Sequence, residues 1–160
     1  MALSWSFARR EDEDEFAGFS CWDGAAGTPW VEEVENYVRG WVLRDARYVV
    51  ALSNEDGELV AVAAFDERSI GVPLVAPVDH PGWHLLVVAV RLDQQNRGLS
   101  KEVFDCVFEA MRSVDPERVL YTAYVHRENR ASMRACARVG LLPFHPKDEH
   151  YNTLLGEVPA

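Results

Sequence analysis

Hydrophobic and polar positions along the chain switch repeatedly between the two-residue period of strands and the 3.6-residue period of helices. In the first half, this pattern predicts a short strand over 4–8, an amphipathic helix from Pro29 to about residue 44, and apolar strands over Tyr48–Ser53 and Glu58–Phe65. The last two strands are joined by Asn-Glu-Asp-Gly, a hairpin turn signal. We therefore expect a strand, a helix and a hairpin in this order.

The second half repeats a strand-helix unit after a proline-rich connection from Pro73 to Pro81. The most apolar strand is predicted over Trp83–Val90. The elements predicted after it are a helix over 99–113, a strand over Arg118–Val125, a helix over Asn129–Val139 that ends at Gly140, and strands near 141–145 and 150–156. The sum is one α+β domain over 1–160, built on a mixed sheet.

Charge is distributed unevenly between the two halves of the chain. Residues 1–80 hold 16 acidic and 6 basic side chains, whereas residues 81–160 hold 10 of each, so the whole net charge of −10 lies in the first half. Binding to nucleic-acid phosphates needs a Lys/Arg surface, and Lys101 is the only lysine before residue 140. The balance argues against a nucleic-acid partner and favours a cationic one.

The three cysteines, Cys21, Cys106 and Cys136, have no close pair and no CxxC spacing. This pattern is typical of free thiols in a reducing compartment. The N-terminal sequence has no apolar segment after a basic one, and no apolar run approaches the length of a membrane span. We therefore expect a cytoplasmic protein without a membrane partner.

The strongest chemical signal lies where the apolar strand is followed by a glycine-containing turn and a helix. Such a junction presents free backbone N–H groups and the positive end of a helix dipole, which suit a phosphate. A single glycine between strand and helix is also common in an ordinary tight turn. The segment alone leaves both interpretations open.

A second motif favours the phosphate site, and together the two resemble the GCN5-related N-acetyltransferase (GNAT) superfamily. The family signature Gln/Arg-x-x-Gly-x-Gly/Ala after a strand ending in Val is matched by Val90 and the segment Gln95–Ser100, with Ser100 in the Gly/Ala position. A later family segment is matched by Val125, Asn129, Ser132 and Gly140-Leu141. The resemblance covers about 83–144 and implies a mostly antiparallel sheet flanked by helices, with a splayed central strand pair.

The resemblance implies acetyl-CoA as co-substrate, with 81–145 as the coenzyme-binding half and 1–80 as the acceptor-side half. The strand Leu86–Val90, with Val88 and Val90, would pair with the pantetheine amides, and Asn129 and Ser132 would contact the pantetheine arm. No metal is expected. The residues implied to surround the pyrophosphate are Gln95, Asn96, Arg97, Gly98, Leu99 and Ser100.

Acetylation of an amine needs a base, and His84 is the best candidate. It lies at the start of the coenzyme strand, where the resembled histone-type acetyltransferases have a catalytic Glu, and histidine suits the role without a large pKa shift. Many family members have a Tyr seven residues after the Asn as proton donor to the departing thiolate; here that position is Cys136. Other possible donors are Ser132, Tyr121 and Tyr124, and a thiolate can also leave unaided.

The acceptor is expected to be a primary amine of a small molecule or peptide. In the resembled family the segment after the first strand borders the acceptor site, so the acidic run Glu11–Glu15, taken as a charged turn, would attract a cationic amine. The arginines around Asn129 form either a solvated face or contacts with coenzyme phosphates: Arg127, Arg130, Arg134 and Arg138.

Alternative functions stay open at this point. Cys136 and Ser100 depart from the family pattern, which is consistent with an acyl-CoA-binding module that has lost turnover. The segment Phe19-Ser20-Cys21 resembles the start of toxin-like acetyltransferases of aminoacyl-tRNA, although the net charge argues against that substrate. A structural strand-helix domain without a coenzyme is a third alternative. His145 and His150 lack the further ligands of a metal site, and a homodimer is an expectation from the family alone.

Overall fold

The computed structural model describes residues 3–40, 44, 46–71 and 79–160. The strands are β1 (Ser4–Phe7), β2 (Val49–Glu55), β3 (Glu58–Gly71), β4 (Asp79–Val90), β5 (Leu120–His126), β6 (Leu142–Pro146) and β7 (Tyr151–Glu157). The helices are α1 (Glu13–Ala17), α2 (Pro29–Gly40), α3 (Ser100–Val114) and α4 (Arg130–Arg138). None of the helices described is long and apolar enough to span a bilayer.

The seven strands form one sheet in the order β1-β2-β3-β4-β5-β7-β6. Neighbouring strands are antiparallel except for β4 and β5, which are parallel and connected through α3. A parallel pair requires such a crossover, whereas antiparallel neighbours need only short turns. The α+β class and the mostly antiparallel sheet predicted from the sequence are confirmed.

Element boundaries differ from the prediction in several places. Strand β3 continues to Gly71, six residues beyond its predicted end at Phe65. The acidic run Glu11–Glu15 is not a turn: it lies in a 3-10 turn, Arg10–Asp12, and in α1, whose Phe16 is buried. Strand β4 begins at Asp79, so the end of the predicted proline-rich connection belongs to a strand. Helix α2 is described to Gly40, and the remainder of the predicted helix falls mostly outside the described residues.

The hairpin between β2 and β3 forms as its turn sequence predicts. Asp56 and Gly57 have φ of 52° and 87°, and Glu55 pairs with Glu58. Positive φ at both central residues matches the right-handed twist of the two strands, and glycine adopts it without strain.

An extra residue in β4 changes which face of the sheet its side chains occupy. Ala64 pairs with Val87 but Phe65 pairs with Leu85, so Leu86 is a bulge. Before the bulge, Leu85 packs in the core beneath α3; after it, Val87 packs in the second core, against α1 and α2. Side chains normally alternate every residue, so the bulge resets the alternation in the second half of the strand.

Helices cover both faces of the sheet and enclose two apolar cores. Trp83, Phe108 and Tyr121 are fully buried in the core beneath α3 and α4. Phe16, Phe19 and Val38 fill the core beneath α1 and α2. Because each large apolar side chain buried contributes about 1.5–3 kcal/mol, these cores hold the sheet rigid at the point where β4 and β5 separate.

Candidate functional site

Strands β4 and β5 separate in the middle of the sheet. They pair from Gly82 with Leu120 to Leu85 with Ala123, and β4 then continues to Val90 without β5 beside it. The predicted splay is therefore present. One backbone edge of residues 86–90 has no strand partner in the described chain, so the N–H and C=O groups on this edge are available to an amide-containing ligand. Val88 and Val90 line the opening.

A cleft of about 770 Å³ occupies the splay. Its walls are formed by α2, the second half of β4, the start of α3, the end of β5, and α4. Most residues proposed from the sequence to bind the coenzyme or to catalyse the transfer line this cleft: His84, Val88, Val90, Gln95, Asn96, Gly98, Leu99, Ser100, Asn129, Ser132 and Cys136. Arg97, Arg127 and Arg130 do not line it. Two sequence motifs about 30 residues apart thus meet around one space.

The segment from Asn96 to Ser100 presents backbone donors to the cleft. Asn96 and Gly98 have φ of 61° and 78°, and Leu99 precedes the first residue of α3 without providing a side-chain cap. In the described part of the chain, no acceptor receives a hydrogen bond from the backbone N–H groups of 96–100. Free donors at the positive end of a 15-residue helix fit a phosphate group.

Gln95 does not contribute its backbone N–H to this cradle. Its N–H donates to the carbonyl of Leu92 at 3.3 Å. Its side chain donates instead to the carbonyl oxygens of Cys21 at 2.7 Å and Val90 at 3.0 Å. The backbone N–H of Gln95 therefore has a protein acceptor, and its side chain ties the loop to the end of β4 and to the segment before α2.

Arg97 points away from the cleft, toward the β2–β3 hairpin. Its guanidinium donates to both carboxylate oxygens of Glu55, at 2.8 and 3.2 Å, and also bonds Gln94. The hydrogen bond from Arg97 lowers the pKa of Glu55. The side chain of Arg97 is therefore occupied by a protein carboxylate, and only its backbone remains for the cradle.

Asn129 caps α4. Its side-chain oxygen accepts from the N–H of Ser132 at 3.0 Å, which is the usual N-cap geometry. This oxygen therefore has a protein donor, and the amide N–H₂ group of Asn129 remains as a donor for a ligand. Both residues still line the cleft.

Two arginines of α4 line the same cleft. Arg134 and Arg138 are exposed, one helical turn apart, and form no salt bridge with the described carboxylates. Of the two interpretations given for the arginines of this helix, contact with an anion is open to this pair.

His84 is buried, with 1% of its surface exposed, and it lies near the end of the stretch where β4 pairs with β5. Its Nδ1 lies 3.1 Å from the hydroxyl of Thr122, and its ring contacts Tyr124 at a centroid distance of 4.5 Å. Burial, together with the positive charges of Arg68 and Lys147, lowers the pKa of His84 to about 4. The expectation that this histidine keeps an ordinary pKa is wrong, because sequence gives no measure of burial.

Cys136 is also buried against the cleft, on α4. Burial raises the pKa of its thiol to about 11. The group is therefore a neutral thiol at physiological pH, and it is a weak proton donor.

The two tyrosines of β5 face opposite sides of the sheet. Tyr124 lines the cleft, whereas Tyr121 is fully buried in the core beneath α3 and its hydroxyl donates to the carbonyl of Val139 at 3.4 Å. Of the three proposed alternative donors, Tyr124 and Ser132 line the cleft and Tyr121 does not.

Aromatic side chains also form part of the wall of the cleft. Trp30 of α2 stacks on His126 of β5, with centroids 4.2 Å apart. His126 also contacts the edge of Tyr151 at 5.2 Å. Trp30 lines the cleft, whereas Trp22 and Trp83 do not.

The acidic run of the first half does not line the cleft. The charged residues that do are Glu33, Arg134, Arg138 and Lys147. Glu33 receives a hydrogen bond from the hydroxyl of Tyr151 at 3.5 Å. The charge near the site is thus opposite in sign to the total charge of the chain.

Two features of the site could not be read from the sequence pattern. Lys147 lies over the ring of Tyr124, with Nζ 4.1 Å from the centroid. Glu35 of α2 is buried and accepts from the N–H groups of Cys21 at 2.8 Å and Trp22 at 3.0 Å.

Among the described residues, no group of three or more His, Cys, Asp or Glu side chains is arranged to hold a metal, and His145 bonds only the neighbouring carbonyl of Pro146.

The sequence model of the acetyltransferase (GNAT) family matches residues 5–141. No curated protein sequence matches the chain. A solved structure of a bacterial toxin is similar to this chain, with a TM-score of 0.73 and 16% identity, and the match covers 98% of this chain and 90% of that chain. A mutant of the toxin AtaT bound to the C-terminus of the antitoxin AtaR and acetyl-CoA has a TM-score of 0.70 and 12% identity, with 99% of this chain and 94% of that chain covered. The PaiA N-acetyltransferase from Thermoplasma acidophilum in complex with coenzyme A has a TM-score of 0.67 and 13% identity, with 98% of this chain and 99% of that chain covered. At these identities the likeness concerns the fold.

Proposed function

Because the chain belongs to the acetyltransferase (GNAT) family, we propose that it transfers the acetyl group of acetyl-CoA to a primary amine of a small molecule or peptide by direct attack. The observation that carries this proposal is the meeting of three features in one cleft: unpaired backbone of β4, free N–H groups at the start of α3, and the imidazole of His84. The first two fit an amide-containing, phosphorylated donor, and the third supplies a base.

The coenzyme would lie along β4, with its pyrophosphate against the N–H groups of Asn96–Ser100. Gly98 has a positive φ and no atom within 4 Å of an added Cβ, so its role is to form the cradle rather than to avoid a clash. Arg134 and Arg138 would face the remaining phosphate charge.

His84 would accept the proton of the attacking amine. The hydroxyl of Thr122 also lies 3.5 Å from the carbonyl of Trp83; when it donates there, its oxygen accepts from Nδ1–H of His84, which leaves a lone pair on Nε2. The C–N bond forms as the amine attacks the thioester carbon, the C–S bond breaks, and the thiolate leaves with its electron pair. With a low pKa, the imidazole is neutral at physiological pH, so its lone pair is present, and it is a weaker base than an exposed histidine.

Cys136 is proposed as the donor to the departing thiolate, and its chemistry makes it a weak one. A thiol with a pKa of about 11 gives its proton to an ordinary thiolate against a gradient of about 2 pK units. Protonated His84 holds a far more acidic proton, so it can return this proton to the thiolate. Substituting Cys136 by Ala is therefore expected to have a small effect on kcat.

The test compares two glycines with nearly the same backbone conformation. Gly98→Glu places bulk and negative charge in the phosphate cradle, and we expect the Kd for acetyl-CoA, measured by calorimetry, to rise by at least about 100-fold. Gly24→Glu is the control, because Gly24 has φ of 79° and equally open surroundings, yet lies outside the cleft. Unchanged affinity in Gly98→Glu would refute this coenzyme site.

Catalysis is tested separately from binding, by thiol release with a panel of amines. Release that depends on the amine supports the transferase. Tight binding of acetyl-CoA with no release on any amine would instead favour the non-catalytic acyl-CoA-binding module.

A second candidate is a toxin-like acetyltransferase of aminoacyl-tRNA. It is favoured by the likeness in fold to the toxin AtaT and by the exposed arginines of α4, two of which line the cleft. The excess of acidic residues in the first half argues against it. Acetylation of aminoacyl-tRNA, with free amino acids unmodified, would select this candidate.

A further inference from the structure

The turn between β6 and β7 is held in a fixed conformation at the edge of the cleft. One carboxylate oxygen of Asp148 accepts from the N–H groups of His150 at 2.8 Å and Tyr151 at 2.9 Å. The guanidinium of Arg127 donates to the carbonyl of Asp148 at 2.7 Å, and the N–H of Lys147 donates to the carbonyl of Tyr151 at 2.9 Å. The backbone that carries Lys147 is therefore tied to β5 and β7.

The ammonium group of Lys147 is directed over two aromatic rings of the cleft wall. Its Nζ lies 4.1 Å from the ring centroid of Tyr124 and 5.6 Å from that of Tyr151. A cation over aromatic faces is attracted by the negative face of each ring. This contact positions the charge while leaving its N–H donors without a protein carboxylate: Lys147 forms no salt bridge within the described ranges of the chain.

The same Tyr124 ring also contacts His84, at a centroid distance of 4.5 Å, so the ammonium group and the imidazole share one aromatic neighbour. The positive charge of Lys147 is also, with that of Arg68, one of the two that lower the pKa of His84 beyond the effect of burial, as its position near this ring requires. A fixed cation without a carboxylate partner, next to the proposed base, is an arrangement that attracts an anion.

We propose that Lys147 selects acceptors that carry an anionic group, a carboxylate or a phosphate, close to the amine that is acetylated. This proposal rests on the proposed function and adds the chemical class of the acceptor. It differs from the expectation drawn from total charge: the acidic run lies away from the cleft, and Glu33 is the one carboxylate among the described residues of its lining. The acceptor is then an ammonium compound with a neighbouring negative charge.

The test uses the two lysines of the chain as a matched pair. Lys147→Met keeps an unbranched side chain against Tyr124 and removes the charge. Lys101→Met removes the same charge from the exposed face of α3, where Lys101 pairs with Asp105 at 2.6 Å. Both variants change the net charge equally, so a difference between them reports position rather than total charge.

Each arm pairs an anionic acceptor with its neutral counterpart. The carboxylate arm uses tyrosine and tyrosinamide; the phosphate arm uses O-phosphoethanolamine and ethanolamine. In at least one arm we expect the kcat/KM of the parent to be about tenfold higher for the anionic acceptor than for its neutral counterpart. The difference lies in KM, and its size corresponds to one hydrogen bond to a charged group. Lys147→Met loses this preference and keeps its Kd for acetyl-CoA, whereas Lys101→Met behaves as the parent.

Equal use of anionic and neutral acceptors by the parent would overturn the proposal, and so would a preference that survives in Lys147→Met. A lower melting temperature with an unchanged preference would assign Lys147 a packing role only, which also overturns it. Titration of the same four compounds into the protein saturated with CoA separates this result from a failure of the proposed function. Lys147-dependent binding without acetylation refutes the transferase alone, and binding without preference refutes the acceptor class.

Discussion

His84 shows how burial determines the chemistry of a single side chain. An exposed imidazole changes charge near neutral pH, but the site around His84 is closed by Thr122 and Tyr124, and the nearest cations are Arg68 and Lys147. The folded protein therefore resists protonation of this ring until the pH approaches 4. The unfolded chain does not.

This difference predicts a loss of stability in acid. Above pH 6.5 the ring is neutral in both states, and as the pH falls toward 4 only the unfolded chain takes up the proton. Linkage then lowers the free energy of unfolding by about 3 kcal/mol over this range. We expect His84→Gln to show a correspondingly weaker pH dependence in urea unfolding, with the exposed His80→Gln as control. Equal dependence in both variants would contradict the low pKa.

At the scale of elements, helix α2 and the loop of residues 95–100 are joined through the segment of residues 20–22. Glu35 of α2 accepts from Ser20, Cys21 and Trp22, and the carbonyl of Cys21 accepts from Gln95. Burial raises the pKa of Glu35, but these hydrogen bonds and Arg39 outweigh it, so the net shift is downward. The charged carboxylate is thus the form that holds the segment.

Glu35→Gln is expected to loosen this connection. An amide accepts hydrogen bonds more weakly than a carboxylate, and Arg39 keeps the carbonyl of Phe19 but loses its carboxylate partner, so we expect the free energy of unfolding to fall by about 3 kcal/mol. The affinity for acetyl-CoA should fall as well, because Gln95 loses a fixed acceptor. Glu32→Gln, at an exposed position of the same helix, is the control in denaturant unfolding and calorimetry. A variant as stable as this control would refute the connection.

At the scale of the whole molecule, the sheet consists of two parts joined at its centre. Strands β1–β4 form one antiparallel part and β5–β7 the other, and four residue pairs connect β4 to β5. A donor molecule bound in the splay contacts both parts. The ligand is then a structural component of the sheet as well as a reactant.

We therefore expect acetyl-CoA to stabilise the folded protein. At a free concentration of 100 times Kd, a ligand that binds only the folded state contributes about 2.7 kcal/mol. Hydrogen exchange should slow most for Leu86–Val90, whose edge is open without ligand. Gly98→Glu is expected to show neither effect at the same concentration. Stabilisation of that variant as great as of the parent would indicate binding elsewhere.

The elements and the conformation of the loop before α3 were predictable because local signals encode them. Asp56-Gly57 specifies its turn by backbone preference, and Gly98 before an apolar helix marks the loop in the same way. Gly140 ends α4 with φ of 77°, as the sequence indicates. These features depend on residues within a few positions of one another.

The missed features depend on residues distant in sequence. Glu35 differs from the other acids of α2 only through the N–H groups that reach it from the segment before the helix. Lys147 lies in a polar turn and gains its place from Tyr124, on another strand. In the sequence, the residues around Leu86 look like one continuous apolar strand. The bulge at Leu86 nevertheless places the residues after it on the opposite face of the sheet from the one that regular alternation predicts.

The open edge of β4 also bears on association between chains. An unpaired strand edge at the rim of a sheet can recruit a strand from another molecule and so lead to aggregation. Here the edge lies inside the sheet, between walls that include Trp30 on α2 and Ser132 on α4. A folded neighbour cannot insert a strand there, whereas a slender extended molecule can. The recess thus lets the protein keep the hydrogen-bonding capacity of a free edge without its tendency to polymerise.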